Sequence, residues 1–173
     1  MVKLFCAPLG KRGGSATVYS LLEFAFIREF GGAMPEIVRT PNGKPFFQKR
    51  PEIHFSLSHA KTHVFCVLSS HPVGADIESP RHISDRAVRF FCSTAELSFF
   101  TPLELWVLKE SYVKLVDANL AAVRTLRFSL ENGKIVPPDT TTNSKLYRIC
   151  DCCAAVSSYN CDLPETCFIT NID

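Results

Sequence analysis

Two short segments, Val73 to Glu78 (Val-Gly-Ala-Asp-Ile-Glu) and Trp106 to Lys114 (Trp-Val-Leu-Lys-Glu-Ser-Tyr-Val-Lys), carry three carboxylates and two ammonium groups at spacings that could converge on one site. In a strand, successive side chains point to opposite faces, so Asp76 and Glu78 share one face and Ile77 packs on the other. In a helix, Trp106, Glu110 and Lys114 fall at i, i+4 and i+8 on one stripe, and an indole on that stripe turns it inward. Three carboxylates gathered there need compensation from a cation or from Lys109 and Lys114. Oxygen-only donors favour magnesium or manganese over zinc, and magnesium pairs one or two carboxylates with substrate phosphate. The bland alternative stands beside this one: Glu110 and Lys114 as a surface ion pair worth a few tenths of a kcal/mol, with Asp76 and Glu78 on a solvated strand edge.

A third segment, Phe55-Ser56-Leu57-Ser58-His59, reads as a strand ending in a hydroxyl and an imidazole suited to phosphate. No third group completes a nucleophile at Ser58, and no Gly-x-Ser-x-Gly elbow is present.

Taken in order, Asn42-Gly43-Lys44-Pro45, Phe55 to His59, Gly74-Ala75-Asp76-Ile77-Glu78 and Trp106 to Lys114 resemble the 4′-phosphopantetheinyl transferases, most closely the Sfp-type branch, here as a short and divergent member. The likeness covers Asn42 to Lys114. It implies transfer of the phosphopantetheine arm of coenzyme A to a serine of an apo acyl or peptidyl carrier protein, releasing adenosine 3′,5′-bisphosphate. It further implies that Asp76, Glu78 and Glu110 hold magnesium, or manganese, while Lys109 and Lys114 face the phosphates. Lys44, Ser58 and His59 would touch the nucleotide part of coenzyme A. Glu110, Lys114 and Lys109 would form the catalytic set, with Glu110 the general base. Such chemistry suits a protein without a nucleophile of its own, because the attacking hydroxyl belongs to the partner.

The sequence also departs from the family. Ser56 and Ala60 stand where Asn and Ser are common, and Asp117-Ala118-Asn119-Leu120 replaces a glycine-rich turn, which restricts the backbone after Lys114. The N-terminal part is shorter, leaving Lys11 or Arg12 to supply basic contacts. Two other function classes stay open: a non-catalytic module that binds coenzyme A or a carrier protein, and a magnesium-dependent phosphohydrolase. Product analysis separates them.

A net charge of +2 over 173 residues gives no argument for nucleic acid. With a short apolar N-terminal stretch and no membrane-length apolar run, the chain is expected to be a cytoplasmic monomer without membrane contact. Its eight cysteines include five between Cys150 and Cys167. Their spacing matches no pair of Cys-x-x-Cys knuckles, so they read as small apolar side chains on strands and no metal is assigned to them.

The elements that must carry the three segments form an α+β pattern. Strands are expected at Val2 to Ala7, Glu36 to Thr40, Ile53 to Ser58, His63 to Ser69 and Val73 to Glu78, with a helix over Ser15 to Phe30 stopped by Gly31 and Gly32. Helices over Ile83 to Phe91 and Ser93 to Phe100 follow, then one capped by Thr101 with Pro102 at its first position. Strands at Thr125 to Glu131, Lys145 to Ser157 and Thr166 to Asn171 close the chain, with a loop over Pro137 to Asn143. The resemblance adds a pseudo-twofold arrangement of two similar α/β halves, 1–78 and 79–173, in one compact unit with the active site in the cleft between them.

Overall fold

The computed structural model describes residues 1–11 and 13–172. In chain order the first half holds β1 (Val2–Pro8), α1 (Gly14–Phe30), β2 (Ile37–Arg39), β3 (Pro45–Phe47), β4 (His54–His59), β5 (His63–Ser69) and β6 (Val73–Glu78). The second holds α2 (Asp85–Phe91), α3 (Thr94–Leu97), α4 (Pro102–Val116), a 3₁₀ turn (Leu120–Arg124), β7 (Ser129–Glu131), β8 (Lys134–Val136), β9 (Thr142–Ile149), β10 (Cys152–Tyr159) and β11 (Phe168–Ile169).

Side-chain alternation sorts these elements into layers. One face of β1 and β5 (Phe5, Ala7, Val64, Cys66) buries against Val18, Leu21, Leu22, Ala25 and Phe26 of α1. The opposite face (Leu4, Cys6, Phe65, Val67) packs on Val73, Ala75 and Ile77 of β6 and on Ala154 and Val156 of β10. Beyond that second layer, Leu105, Leu108, Tyr112 and Val113 of α4 cover Cys153 and Ala155 of β10. The order is helix, sheet, sheet, helix. The first sheet runs β11-β1-β5-β4 and the second β6-β10-β9, the second antiparallel throughout. β6 therefore leaves the first half to become an edge of the second sheet, while it also lies alongside β4. Ser56 Oγ accepts from the Ala75 amide at 2.9 Å across that seam.

The caps explain where the helices start. Thr101 and Glu104 form the expected capping box with Pro102 in the first turn, and Ser93 with Glu96 forms a second. The helix expected over Ser93 to Phe100 is only the single turn of α3. Ser84 caps α2, so the helix begins at Asp85 rather than Ile83.

The main correction concerns Lys145 to Ser157, expected as one strand. It is a hairpin, β9 to β10, reversing at Cys150 and Asp151 between the paired residues Ile149 and Cys152. Cys150 takes φ 54 without the glycine or asparagine that usually signals such a turn, so the apolar run concealed it. Thr142 and Asn143 pair with Tyr159 and Ser158, which shortens the expected loop. The short ribbons β2–β3 and β7–β8 supply two further strands, β3 and β8, that carried no sequence signal.

Candidate active site

The site lies where α4 crosses β6. Because Val73, Ala75 and Ile77 face the first sheet, Gly74, Asp76 and Glu78 face α4. The helix comes very close: a Cβ at Gly74 would meet the Ser111 carbonyl and the Leu115 backbone. Glycine there is what lets the helix and strand touch.

Lys114 is the hub. Its ammonium donates to Asp76 Oδ1 at 2.7 Å, to the Ala75 carbonyl at 3.1 Å and to Ser58 Oγ at 3.3 Å, and lies 3.9 Å from Glu110 Oε2. Ser58 in turn donates to Asp76 Oδ1 at 2.6 Å. Asp76 is buried, and its Oδ2 has no hydrogen-bond partner among the described residues. An orphaned carboxylate oxygen of that kind is costly unless a ligand completes it.

Glu110 lies one turn before Lys114 and one turn after Trp106. Burial, reinforced by the Asp76 carboxylate, pushes its carboxyl up to about 7 against the pull of Lys114, with Glu78 adding to the rise. Trp106 Nε1 donates to Glu78 Oε1 at 3.2 Å, and Arg81 donates to the same oxygen at 3.0 Å. The stripe Trp106, Glu110, Lys114 thus lies against the Asp76–Glu78 face of β6, where the buried Asp76 is not on a solvated strand edge.

The remaining expected residues divide. Lys44 reaches the same corner, but its ammonium donates to the carbonyls of Leu115 at 3.0 Å and Val73 at 3.3 Å, closing the C-terminal end of α4. Burial holds its pKa below the ordinary value. His59 is exposed, with its ring against Gly14 at the start of α1. Lys109 is a correction. It is fully buried and turned away from the cluster, paired with the buried Glu96 at 2.8 Å and donating to the Leu126 carbonyl at 2.9 Å. On a helix, residues 109 and 110 point about 100° apart, so consecutive Lys and Glu cannot share a face. Glu96 also accepts from the Ser93 and Phe128 amides, which makes the pair a structural knot of the second half. Lys11 is exposed, and Arg12 lies outside the described residues.

Asp117 resolves the concern over the missing glycine. It adopts φ 52, ψ 44 at the end of α4, a left-handed conformation that Asp tolerates, and its carbonyl accepts from Asn42 Nδ2 at 2.7 Å. Sequence reasoning missed that the Asn42–Pro45 turn is tied to this helix end. Between them opens a cleft of about 250 Å³, lined by Lys44, Leu57, Val113, Lys114 and Asp117 among others.

The donor set fits a hard divalent cation: an orphaned Asp76 oxygen, a second carboxylate raised by crowding, and an ammonium standing in as counter-charge. Among the described residues the three carboxylates do not close into one tight ligand set, and Lys114 holds the Asp76 side. Lys114 holds Oδ1 of Asp76, which leaves Oδ2 as the oxygen for such an ion.

Part of the chain is similar to curated proteins. The chain is 32% identical over 121 residues to the 4′-phosphopantetheinyl transferase gsp of Aneurinibacillus migulanus, covering 58% of this chain and 49% of that protein. It is 34% identical over 82 residues to the 4′-phosphopantetheinyl transferase Sfp of Bacillus subtilis strain 168, covering 42% and 37%. A further 4′-phosphopantetheinyl transferase from Bacillus subtilis is 34% identical over 89 residues, covering 46% and 40%. Over these stretches the chain is similar to 4′-phosphopantetheinyl transferases. It spans about half the length, or less, of these curated relatives. No family model matches it. Among the described residues no helix is long and apolar enough to cross a membrane.

Proposed function

We propose that this chain is a magnesium-dependent 4′-phosphopantetheinyl transferase that moves the phosphopantetheine arm of coenzyme A onto a serine of an apo acyl or peptidyl carrier protein. The observation that carries the reading is the buried Asp76 with one orphaned oxygen, flanked by Lys114 and Glu110. Asp76, Glu78 and Glu110 would hold magnesium, or manganese, which would neutralise the pyrophosphate and the charge that develops on it. The three relatives carry the same activity in their names.

In the reaction, the carrier serine oxygen bonds to the pantetheine-side phosphorus while the bond from that phosphorus to the bridging oxygen breaks, and adenosine 3′,5′-bisphosphate leaves. Glu110 would take the serine proton as general base. Lys114, its ammonium beside Asp76, would stabilise the transferring phosphate. Ser58 positions Asp76. Lys44 lines the cleft that would take the nucleotide portion. His59 lies beside the start of α1, which no side chain caps among the described residues, a surrounding that suits a phosphate.

The segments 1–78 and 79–173 act in this proposal as two halves of one unit with pseudo-twofold kinship, each a long helix on a sheet, β6 being the strand they share. One copy then suffices, and coenzyme A supply places it in the cytoplasm. The test is incubation with coenzyme A, magnesium and a panel of apo carriers, followed by intact mass. A phosphopantetheine adduct on a carrier serine is expected. Hydrolysed coenzyme A with an unmodified carrier would point to a phosphohydrolase, and bound but intact coenzyme A to a binding module.

A further inference from the structure

A second polar cluster lies apart from the Asp76 cluster, where the first sheet meets the β9–β10 hairpin. His63 opens β5, Asp151 lies in the hairpin turn and Cys152 opens β10. Cys152 Sγ is 3.8 Å from His63 Nδ1 and 3.5 Å from Asp151 Oδ1, and His63 Nδ1 is 3.8 Å from Asp151 Oδ1. The three residues come from two distant stretches, which is why Cys-x-x-Cys spacing gave no hint of them.

The triangle has the dimensions of a tetrahedral metal site. With zinc bonds of about 2.3 Å to sulfur and about 2.0–2.2 Å to nitrogen and oxygen, the ligand atoms of such a site stand about 3.4–3.6 Å apart. The observed separations come close to that range. A nucleophilic triad would look different. There the imidazole stands between thiol and carboxylate and uses one nitrogen for each. Here both groups approach the same nitrogen, Nδ1, and Cys152 is fully buried, closed to a substrate. One thiol, one imidazole and one carboxylate form a borderline-soft donor set that selects zinc over magnesium. Asp151 is largely exposed, which leaves an entry path and a fourth position for water.

The surroundings are polar, and a bound ion would replace the contact between Thr62 and His63 Nδ1. The Thr62 hydroxyl lies 2.9 Å from His63 Nδ1 and 3.5 Å from Cys152 Sγ, and Ser79 Oγ is 3.8 Å from the same sulfur. Ser79 also accepts from the Lys61 amide at 3.1 Å, so the loop between β4 and β5, the end of β6 and the hairpin turn all meet here.

We propose that His63, Asp151 and Cys152 form a structural zinc site that clips the first sheet to the β9–β10 hairpin. This site is independent of the magnesium set and of the transfer reaction. Removing any one of three protein ligands should weaken zinc by at least about tenfold.

The test uses the full chain and cobalt as a spectroscopic stand-in for zinc. Cobalt should give tetrahedral visible bands and a thiolate-to-metal charge-transfer band, which oxygen donors at the Asp76 cluster cannot produce. Cys150→Ser should keep the band. Cys152→Ser should abolish it, and Asp151→Asn, at an exposed position that spares the core, should shift half-saturation at least about tenfold to higher cobalt. Zinc should raise the unfolding midpoint of the wild type and of Cys150→Ser, and raise that of Asp151→Asn only at proportionately higher zinc. The proposal is overturned if the wild type gives no charge-transfer band at excess cobalt, if the band survives Cys152→Ser or vanishes in Cys150→Ser, or if Asp151→Asn binds as the wild type does.

Discussion

At the scale of single residues, neighbouring lysines of one helix have opposite duties. Lys109 is a buried counter-charge to Glu96, whereas Lys114 is the accessible cation of the Asp76 cluster. Lys109→Met leaves the Glu96 carboxylate buried and uncompensated, which costs about 3–5 kcal/mol. Urea unfolding should show that loss. Lys114→Ala should instead keep most of the stability and lose phosphoryl transfer, so paired unfolding and transfer assays separate the roles. Equal stability of the two variants would refute the division. Strand periodicity put Asp76 and Glu78 on one face and helix periodicity put Glu110 and Lys114 on one stripe, while their meeting came only from the family resemblance. The place of Lys109 was not legible, because adjacency in a short motif hides the rotation between consecutive helical residues.

At the scale of elements, the β6–α4 contact sets the site and rests on Gly74. Gly74→Ala drives a methyl group into helix backbone that cannot swing aside, a form of overpacking worth at least about 1–3 kcal/mol. Its thermal midpoint should fall along with transfer activity. A second brace holds the same end of that sheet at its opposite edge: Asp139 accepts from Tyr112 Oη at 2.6 Å, from the Thr141 amide at 2.8 Å and from the Thr142 hydroxyl at 2.8 Å. Although burial pushes its carboxyl up, the hydrogen bonds from Thr141, Tyr112 and Thr142 prevail and hold it at about 2, below the ordinary 3.8. A depressed carboxyl stabilises the fold above its unfolded pKa and loses that contribution as pH falls through the folded one. Stability of the wild type should therefore exceed that of Asp139→Asn by on the order of 1 kcal/mol at pH 5, after discounting for solvent screening. The gap should close as pH falls below about 4 toward 2. Urea midpoints across that range check it, and a constant gap would remove Asp139 from the account. Caps and apolar faces made α1 and α4 legible in advance. The β9–β10 reversal was not, since Cys150 turns the chain with a residue that carries no turn signature.

At the scale of the molecule, two sheets sandwiched between α1 and α4 bring Asn42 to Lys44, Ser58 and Asp76 from one part of the chain against Glu110 to Asp117 from the other. Sequence order alone could not show that β6 pairs with β10, because that partnership spans most of the second half and depends on a hairpin that the pattern concealed. It also could not bring His63 to Cys152. The α+β pattern was readable because it needs only local periodicity.

The central claim is that Glu110 accepts the proton of the carrier serine at the Asp76–Lys114 cluster. Single-turnover transfer from coenzyme A to an apo carrier, measured beside equilibrium binding of coenzyme A, tests it in the Glu110→Gln variant. Glutamine keeps the size and one oxygen but removes the charge and the basic site. Transfer should fall by at least about 100-fold while coenzyme A affinity changes only a few-fold. Near-normal transfer by Glu110→Gln would contradict the account and return Glu110 and Lys114 to the status of a helix ion pair.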